Sequence, residues 1–97
     1  MNGLDWLQNW YTSHLNGEWE DYYGIKLSTL DNPGWMIEVD LLETELETRE
    51  FEEVSVDNGE ADWIFCKVEN GKYVGGGDPT KLNQIIEIFK RWAESRD

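Results

Sequence analysis

The sequence predicts an α+β fold: an antiparallel sheet of about five strands, built from two hairpins and a meander, with an N-terminal and a C-terminal helix packed on one face. Apolar residues recur at helical spacing near both ends of the chain and alternate with period two between them. Turn pairs separate the alternating runs, and none of the connections resembles a crossover helix. We therefore expect a single domain over residues 1–97.

The first helix is predicted over residues 3–15. Leu4, Leu7, Tyr11 and Leu15 recur at helical spacing, and Asn16-Gly17 supplies a C-terminal stop. A four-turn amphipathic helix at the start of the chain follows from this pattern.

Five strands follow, and their predicted spans are residues 22–30, 35–42, 50–56, 62–69 and 72–75. Pro33-Gly34 suits a type II turn between the first two strands, and Asn70-Gly71 is the preferred pair for a type I′ turn between the last two. In the third strand the apolar parity changes between Phe51 and Val54, which indicates a bulge. The second strand should turn Glu38 away from the core.

The last helix is predicted over residues 79–95. Gly75-Gly76-Gly77 is interpreted as a flexible joint that ends the sheet, after which Asp78 caps the helix and Pro79 takes its first position. The glycines precede a helix as phosphate-binding loops do, but they match no nucleotide-binding fingerprint. One face of the helix is apolar: Leu82, Ile85, Ile86, Phe89, Trp92 and Ala93.

Composition predicts a folded, cytoplasmic protein. Apolar residues make up 39% of the chain and six tryptophans supply large buried areas, so the acidity does not indicate disorder. The start has no signal-peptide pattern and no apolar run is long enough to span a membrane. Cys66 lies in an apolar strand pattern and is expected to be buried. Most tryptophans are expected in the core, but Trp19, among acids, fits either the core or an interface.

Negative charge is concentrated in one quarter of the chain. Eleven of the twenty-five residues from Glu38 to Asp62 are acidic and Arg49 is the only base among them, which gives this stretch a net charge of -10 out of the total of -13. Such a field repels nucleic acid and anionic lipid and steers a cationic partner. The charge alone fits a solubilising surface equally well.

Catalytic and metal-binding groups are sparse. His14 is the only histidine, and Asp57 to Asp62 offers oxygen ligands without the order of a calcium-binding loop. Paired carboxylates such as Glu52 and Glu53 are too common here to indicate a glycosidase. The sequence therefore predicts no enzyme activity, no metal and no cofactor.

Several segments occur in the order of a known family: Trp6-Leu-Gln-Asn-Trp-Tyr11, Gly17-Glu-Trp19, Tyr23-Gly-Ile25, Asp31-Asn-Pro-Gly-Trp35, Asp62-Trp-Ile-Phe-Cys66 and the glycines before the last helix. In these the chain resembles immunity protein 53, a family assigned to bacterial polymorphic toxin systems. The resemblance implies a small cytoplasmic protein that binds the toxic domain of a cognate effector and blocks it, without catalysis. It carries over no functional residues.

The acidic stretch and the resemblance together predict an interface. A toxin that attacks nucleic acid needs a basic surface, which an acidic surface can occupy. The predicted partner-binding residues are Glu43, Glu45, Glu47, Glu50, Glu52, Glu53, Asp57, Glu60 and Asp62. The protein is expected to act as a monomer or weak homodimer, with no direct contact to nucleic acid or membrane.

Two alternatives remain open at this level. The first is an acidic binding module, or nucleic-acid mimic, for a basic protein unrelated to toxins. The second is a carboxylate-based or calcium-dependent enzyme, which requires a substrate cleft and a carboxylate with a strongly raised pKa.

Overall fold

A computed structural model describes residues 2–95 of the chain. In chain order its elements are α1 (Gly3–Ser13), α2 (Trp19–Tyr22), β1 (Ile25–Leu30), β2 (Gly34–Asp40), β3 (Val54–Asp57), β4 (Trp63–Glu69), β5 (Lys72–Gly77) and α3 (Leu82–Glu94). All five strands form one antiparallel sheet in the order β1-β2-β5-β4-β3. The predicted α+β class, with five antiparallel strands and a helix near each end of the chain, is confirmed.

The core lies between one face of this sheet and α3. Ile85, Ile86 and Phe89 of α3 are buried against strand residues such as Ile37 and Tyr73, and the Tyr73 hydroxyl donates to the Ile85 carbonyl oxygen over 2.8 Å. Each aliphatic or aromatic side chain buried in this way contributes about 1.5–3 kcal/mol. The apolar face predicted for the last helix is therefore the one that packs.

Helix α1 packs mainly against α3 through tryptophans. The rings of Trp10 and Phe89 meet edge to face with centroids 5.2 Å apart, and Trp6 meets Phe89 in the same manner at 5.6 Å. Leu4 and Leu15 were predicted to lie on the buried stripe, but both are exposed, and α1 ends at Ser13 rather than at residue 15. The wide indole rings fill the space that smaller leucines would leave open.

Trp19 belongs to the core. It lies in the one-turn helix α2, is 2% exposed, and donates from its indole nitrogen to the Leu42 carbonyl oxygen over 3.0 Å. The choice that the sequence left open is decided by this hydrogen bond and by the T-shaped contact with Trp10. The exposed aromatic of this region is instead Tyr22.

A crossover of irregular structure, residues 41–53, connects β2 to β3 across the ends of β5 and β4. Leu41 and Leu46 anchor it in the core, and Phe51 packs edge to face on both Tyr73 and Trp92. Because Phe51 precedes β3 instead of lying in it, the predicted bulge between Phe51 and Val54 is wrong. The parity change marks the end of the crossover.

The glycine run is part of a central strand, so its interpretation as a flexible joint is wrong. Gly75 and Gly76 pair with β2 on one side and β4 on the other, and both are buried. A Cβ at Gly75 would come within 2.4 Å of Ile85, and one at Gly76 within 2.5 Å of the Phe65 ring on the opposite face. These positions lack side chains because neighbours on both faces of the sheet occupy the space.

Asp78 and Pro79 do not start the last helix as predicted. Asp78 is fully buried and its side chain holds a turn that ends at Lys81, so α3 begins at Leu82 without a side-chain cap. Because the Asp78 carboxylate binds the Trp63 amide of β4 and the turn residue Thr80, it does not cap the first amides of α3.

Of the two predicted hairpin turns, the one at Asn70-Gly71 is confirmed and the one at Pro33-Gly34 is not. Asn70 and Gly71 both have positive φ, 55° and 75°, as a type I′ turn requires. The type II prediction at Pro33-Gly34 is wrong, since Gly34 has no positive φ and pairs with Leu30 as the first residue of β2. Within residues 2–95, no helix is long and apolar enough to cross a membrane.

Candidate functional site

The acidic stretch does not form one flat face. Glu38 and Asp40 lie on the open face of the sheet, where the Lys72 ammonium is 3.5 Å and 3.9 Å from their carboxylates. The nine predicted interface residues lie elsewhere, and all nine are exposed. Three lie early in the crossover, three lie at its end just before β3, and three lie between the end of β3 and the start of β4.

The first three carboxylates of the crossover, Glu43, Glu45 and Glu47, are used within the chain. Glu43 has a positive φ of 62°, and its amide donates to the Glu47 carboxylate over 2.7 Å, which holds the tight turn. The Tyr23 hydroxyl lies 3.5 Å from the Glu43 carboxylate; burial of the phenol, followed by this negative charge, raises the pKa of Tyr23. Glu43 and Glu47 therefore shape the crossover.

Glu45 ties the crossover to α1. Its carboxylate lies 2.7 Å from His14 Nε2 and accepts from the Trp10 indole nitrogen over 3.2 Å. Partial burial acts to raise the pKa of Glu45, but the hydrogen bond from His14 and its other donors outweigh this and lower it. His14 Nδ1 is 2.7 Å from the Trp10 carbonyl oxygen, so both ring nitrogens lie within hydrogen-bond distance of oxygen atoms. His14 is thus a structural partner of Glu45.

The hairpin carboxylates Asp57 and Asp62 are also occupied. Asp57 accepts the Gly59 amide over 3.1 Å, and Asp62 accepts from the Asn58 side chain and from Lys81 Nζ at 2.8 Å. The hydrogen bonds from Lys81 and then Asn58 lower the pKa of Asp62. These contacts close the hairpin and join it to the segment before α3.

Lys81 is shared with the buried Asp78. The Asp78 carboxylate accepts from Lys81 Nζ at 2.7 Å, from the Trp63 amide at 2.9 Å, and from the amide and hydroxyl of Thr80 at 2.8 Å and 2.6 Å. These bonds, led by those from Lys81 and Thr80, hold the pKa of Asp78 far below its ordinary value. The ion pairs in turn raise the pKa of Lys81. Nothing in the sequence pattern indicated this cluster.

Four of the nine predicted residues keep free carboxylates: Glu50, Glu52, Glu53 and Glu60. Within residues 2–95, no hydrogen bond or ion pair holds any of their side chains. Glu50, Glu52 and Glu53 lead into the edge strand β3, and Glu60 lies in the hairpin that follows it. We call these four residues the acidic edge.

The only base of the acidic stretch is turned away from the acidic edge. Arg49 directs its guanidinium to the C-terminal end of α3, where Nη1 lies 3.1 Å, 3.2 Å and 2.9 Å from the carbonyl oxygens of Trp92, Ala93 and Ser95. A cation is favourable at this negative end of a helix dipole. Arg49 therefore supports the fold and leaves the acidic edge without the base that its sequence position offers.

The open face of the sheet carries apolar groups that the sequence analysis did not single out. Trp63 and Phe65 stack with ring centroids 6.3 Å apart, and Met36 and Val74 lie beside Phe65 along a shallow cleft of about 490 Å³. All four are partly buried. The expectation that most tryptophans lie in the core does not hold for Trp63, which stacks on Phe65 on the open face.

No arrangement for catalysis is evident among the described residues. Two further shallow clefts, of about 530 Å³ and 520 Å³, both lie against the start of β1, the first beside Tyr22 and the second beside Leu4. Among the carboxylates of residues 2–95, four have a displaced pKa, and in all four it is lowered: Glu20, Glu45, Asp62 and Asp78. An enzyme that uses a carboxylic acid at neutral pH needs the opposite shift. Over residues 2–95, no three His, Cys, Asp or Glu side chains gather so that they could hold a metal ion.

Comparison with known proteins gives one family. No curated protein and no solved structure matches the chain. A family model described as Immunity protein 53 matches residues 4–94, which covers every helix and strand except the first residue of α1. The chain therefore belongs to the immunity protein 53 family.

Proposed function

We propose that this protein binds the toxic domain of a cognate bacterial effector in the cytoplasm of the producing cell and blocks it stoichiometrically, without catalysis. Membership of an immunity protein family supports the partner class. The observation that carries the mechanism is the acidic edge, whose four exposed carboxylates have no partner within residues 2–95. Carboxylates that the fold does not use remain available to cations of another protein.

The partner surface should be basic, as is the substrate-binding surface of a nuclease. Toxins that cleave nucleic acid hold the phosphate backbone with Lys and Arg, and each of these cations can instead contact a glutamate. The acidic edge flanks β3, with three of its glutamates before the strand and Glu60 after it. Asp57 ends that strand, and Asp62 lies in the hairpin beyond it. Occupation of the basic surface by the acidic edge would exclude the substrate.

Exposed charges of this kind contribute mainly to the rate of association. Long-range attraction raises the association rate and is screened by salt, whereas isolated surface ion pairs add about 0–1 kcal/mol each. We therefore expect rapid association that slows as salt is added, with apolar contacts supplying the rest of the affinity. Asp57 and Asp62 carry internal bonds and would take part through their remaining lone pairs.

The test is co-purification with the toxin domain encoded next to this gene, titration of the toxin's activity, and measurement of association rates for two charge-reversal variants. One variant carries Glu52→Lys, Glu53→Lys and Glu60→Lys. The control carries Glu18→Lys, Asp21→Lys and Glu94→Lys, which changes the net charge equally at exposed acids outside the acidic edge.

A 1:1 complex without toxin activity, with association slowed at least tenfold more by the first variant than by the control, is the expected result. Equal rates for the two variants would remove the acidic edge from the mechanism while leaving an immunity role intact. Absence of any complex with the toxin would instead favour the general acidic binding module.

A further inference from the structure

The two edge strands of the sheet, β1 and β3, differ in how well they are protected against pairing with another chain. In an antiparallel ladder alternate residues direct their amide and carbonyl groups to the neighbouring strand, and the residues between them direct theirs outward. The Asp40 amide donates to the Gly24 carbonyl oxygen, so Lys26 and Ser28 face β2, and Ile25, Leu27 and Thr29 present their backbone groups to the free edge.

The β3 edge has features that prevent an edge strand from pairing with another chain. The Asn58 amide donates to the Asp62 carbonyl oxygen, and the same alternation turns the backbone of Ser55 and Asp57 outward. This strand has four residues, with Glu52 and Glu53 just before it. Short length and charge are the usual means by which an edge strand avoids pairing with another chain.

The β1 edge is longer than β3, and Lys26 is the one charged residue in it. Its six residues contain no acid, and Lys26 to Thr29 are exposed. Leu27 is 44% exposed on the helix side of the sheet. A largely apolar groove adjoins the strand at Ile25; its lining from α1 is Leu4, Leu7 and Tyr11 together with Asp5 and Gln8. An uncovered edge strand with no acid, beside a largely apolar groove, has the character of an interface.

We propose that the β1 edge pairs with the β1 edge of a second copy of this chain, forming a symmetric dimer with a continuous ten-stranded sheet. In the centred antiparallel register, Leu27 lies opposite Leu27 of the second copy and Ile25 opposite Thr29. Lys26 then lies opposite Ser28, so no like charges meet and all three outward backbone positions of each strand are paired.

Charge favours β1 over β3 as the edge through which two copies pair, although each copy carries a net charge of -13. The sheet order places β3 four strand spacings from β1, about 19 Å. Pairing through β1 would place the two β3 edges nine spacings apart, about 43 Å, whereas the Debye length at physiological salt is about 8 Å. Of the two edges, β1 is the one that joins two copies with their acidic edges far apart.

This proposal does not depend on the toxin, and it has the opposite salt dependence. Added salt screens the repulsion between two acidic copies and should strengthen the dimer, whereas it should weaken binding of a basic partner. The test is sedimentation equilibrium of the whole chain over a range of concentrations at low and high NaCl. As protein concentration increases, the mass should rise from 11.4 kDa toward twice that value. In high salt this rise should begin at a lower protein concentration.

Two matched variants locate the interface. Leu27→Lys places like charges across the symmetry axis and should leave only monomer at concentrations where the natural sequence is mostly dimer. Val56→Lys makes the same change at a residue of equal exposure, 44%, on the other edge strand and should leave the dimer intact. Thermal unfolding of both variants checks that each is folded.

A gain-of-function variant makes the test independent of any loss of folding. In the proposed register the two Leu27 Cα atoms are about 5.5 Å apart, within the range of a disulfide. Leu27→Cys should form an intermolecular disulfide under mild oxidation, and Val56→Cys should not; the natural Cys66 is buried and does not interfere.

Three results would overturn the proposal. The first is a mass of 11.4 kDa at every concentration and salt tested. The second is equal dimerisation of Leu27→Lys and Val56→Lys, which would place the contact on another face. The third is a monomer whose toxin complex is weakened by Leu27→Lys and not by Val56→Lys, which would assign the β1 edge to the toxin.

Discussion

Gly75 lies directly beneath Ile85: a Cβ built on Gly75 would come within 2.4 Å of Ile85 Cγ2 and 3.2 Å of Ile37 Cγ2. Helix α3 can approach the centre of the sheet this closely because β5 has no side chain at that point.

Gly75→Ala should therefore lower the free energy of unfolding by about 1–3 kcal/mol, the usual range for an overpacked core. The measurement is urea unfolding followed by tryptophan fluorescence. Gly24→Ala is the control, because nothing lies within 4 Å of the added Cβ and Gly24 has no positive φ. Equal stability of the two variants would mean that α3 does not sit over Gly75.

The buried Asp78 should make the protein sensitive to acid. The ordinary pKa of this carboxyl is 3.8 and that of the folded protein is lower, so the unfolded chain binds protons that the native state does not. The stability that follows is fully present above the unfolded pKa and is lost as pH falls below about 4. The lowered pKa of Asp62 acts in the same direction.

Melting temperatures measured from neutral pH to about pH 2 test this expectation. Asp78→Asn should melt lower at neutral pH, because Lys81 then loses a charged partner, and should lose less stability between about pH 4 and pH 2 than the natural sequence. Parallel profiles for the two proteins would assign the acid sensitivity to other carboxylates.

Arg49 should stabilise the fold through the end of α3. Arg49→Ala removes three hydrogen bonds from a charged donor to helix carbonyl oxygens, and we expect a loss of about 1.5–3 kcal/mol. Arg91→Ala removes the same charge from an exposed position in the last turn of that helix and should change stability by no more than about 0.5 kcal/mol. Chemical denaturation of both variants at one salt concentration is sufficient, and a similar loss in both would indicate a general charge effect.

Substitutions of Trp19 and Tyr22 should have very different effects on stability, although both residues lie in the single turn of α2. Trp19→Ala removes a side chain that is 2% exposed and should destabilise the fold by about 3–5 kcal/mol, whereas Tyr22 is 79% exposed and Tyr22→Ala should have an effect within about 0.5 kcal/mol. Thermal and chemical unfolding would measure both. A folding defect in the Tyr22 variant would contradict the packing described for α2.

Local patterns predicted the fold class because they depend on neighbours in sequence. The positive φ values at Asn70 and Gly71 and the buried parity of Ile37 and Val39 follow from rules that span a few residues. The same rules failed at Gly75 and Gly76, since the reason for each glycine is a side chain on another element. A run of glycines has the same sequence signature whether it is flexible or tightly packed.

The candidate site was predictable as a region but not residue by residue. Nine carboxylates of one stretch are equivalent in sequence, yet Glu45 meets His14 and Trp10, which lie 31 and 35 positions away, and Asp62 meets Lys81. Partners far away in sequence therefore determine which carboxylates form contacts within the protein and which stay exposed without a partner. The inward turn of Arg49 likewise depends on where α3 ends, 43 or more positions later.

The separation of the acidic edge from the internal carboxylates has a consequence for how the family can diversify. Asp78, Asp62 and Glu45 cannot change without disturbing contacts that hold the protein together, whereas Glu52, Glu53 and Glu60 contact no other described residue through a hydrogen bond or ion pair. In mutational scanning scored only by folding, nearly any polar residue should be tolerated at these three glutamates. Few substitutions should be tolerated at Asp78, Asp62 and Glu45. A descendant that faces an altered toxin could revise its contacts there while its scaffold stays the same.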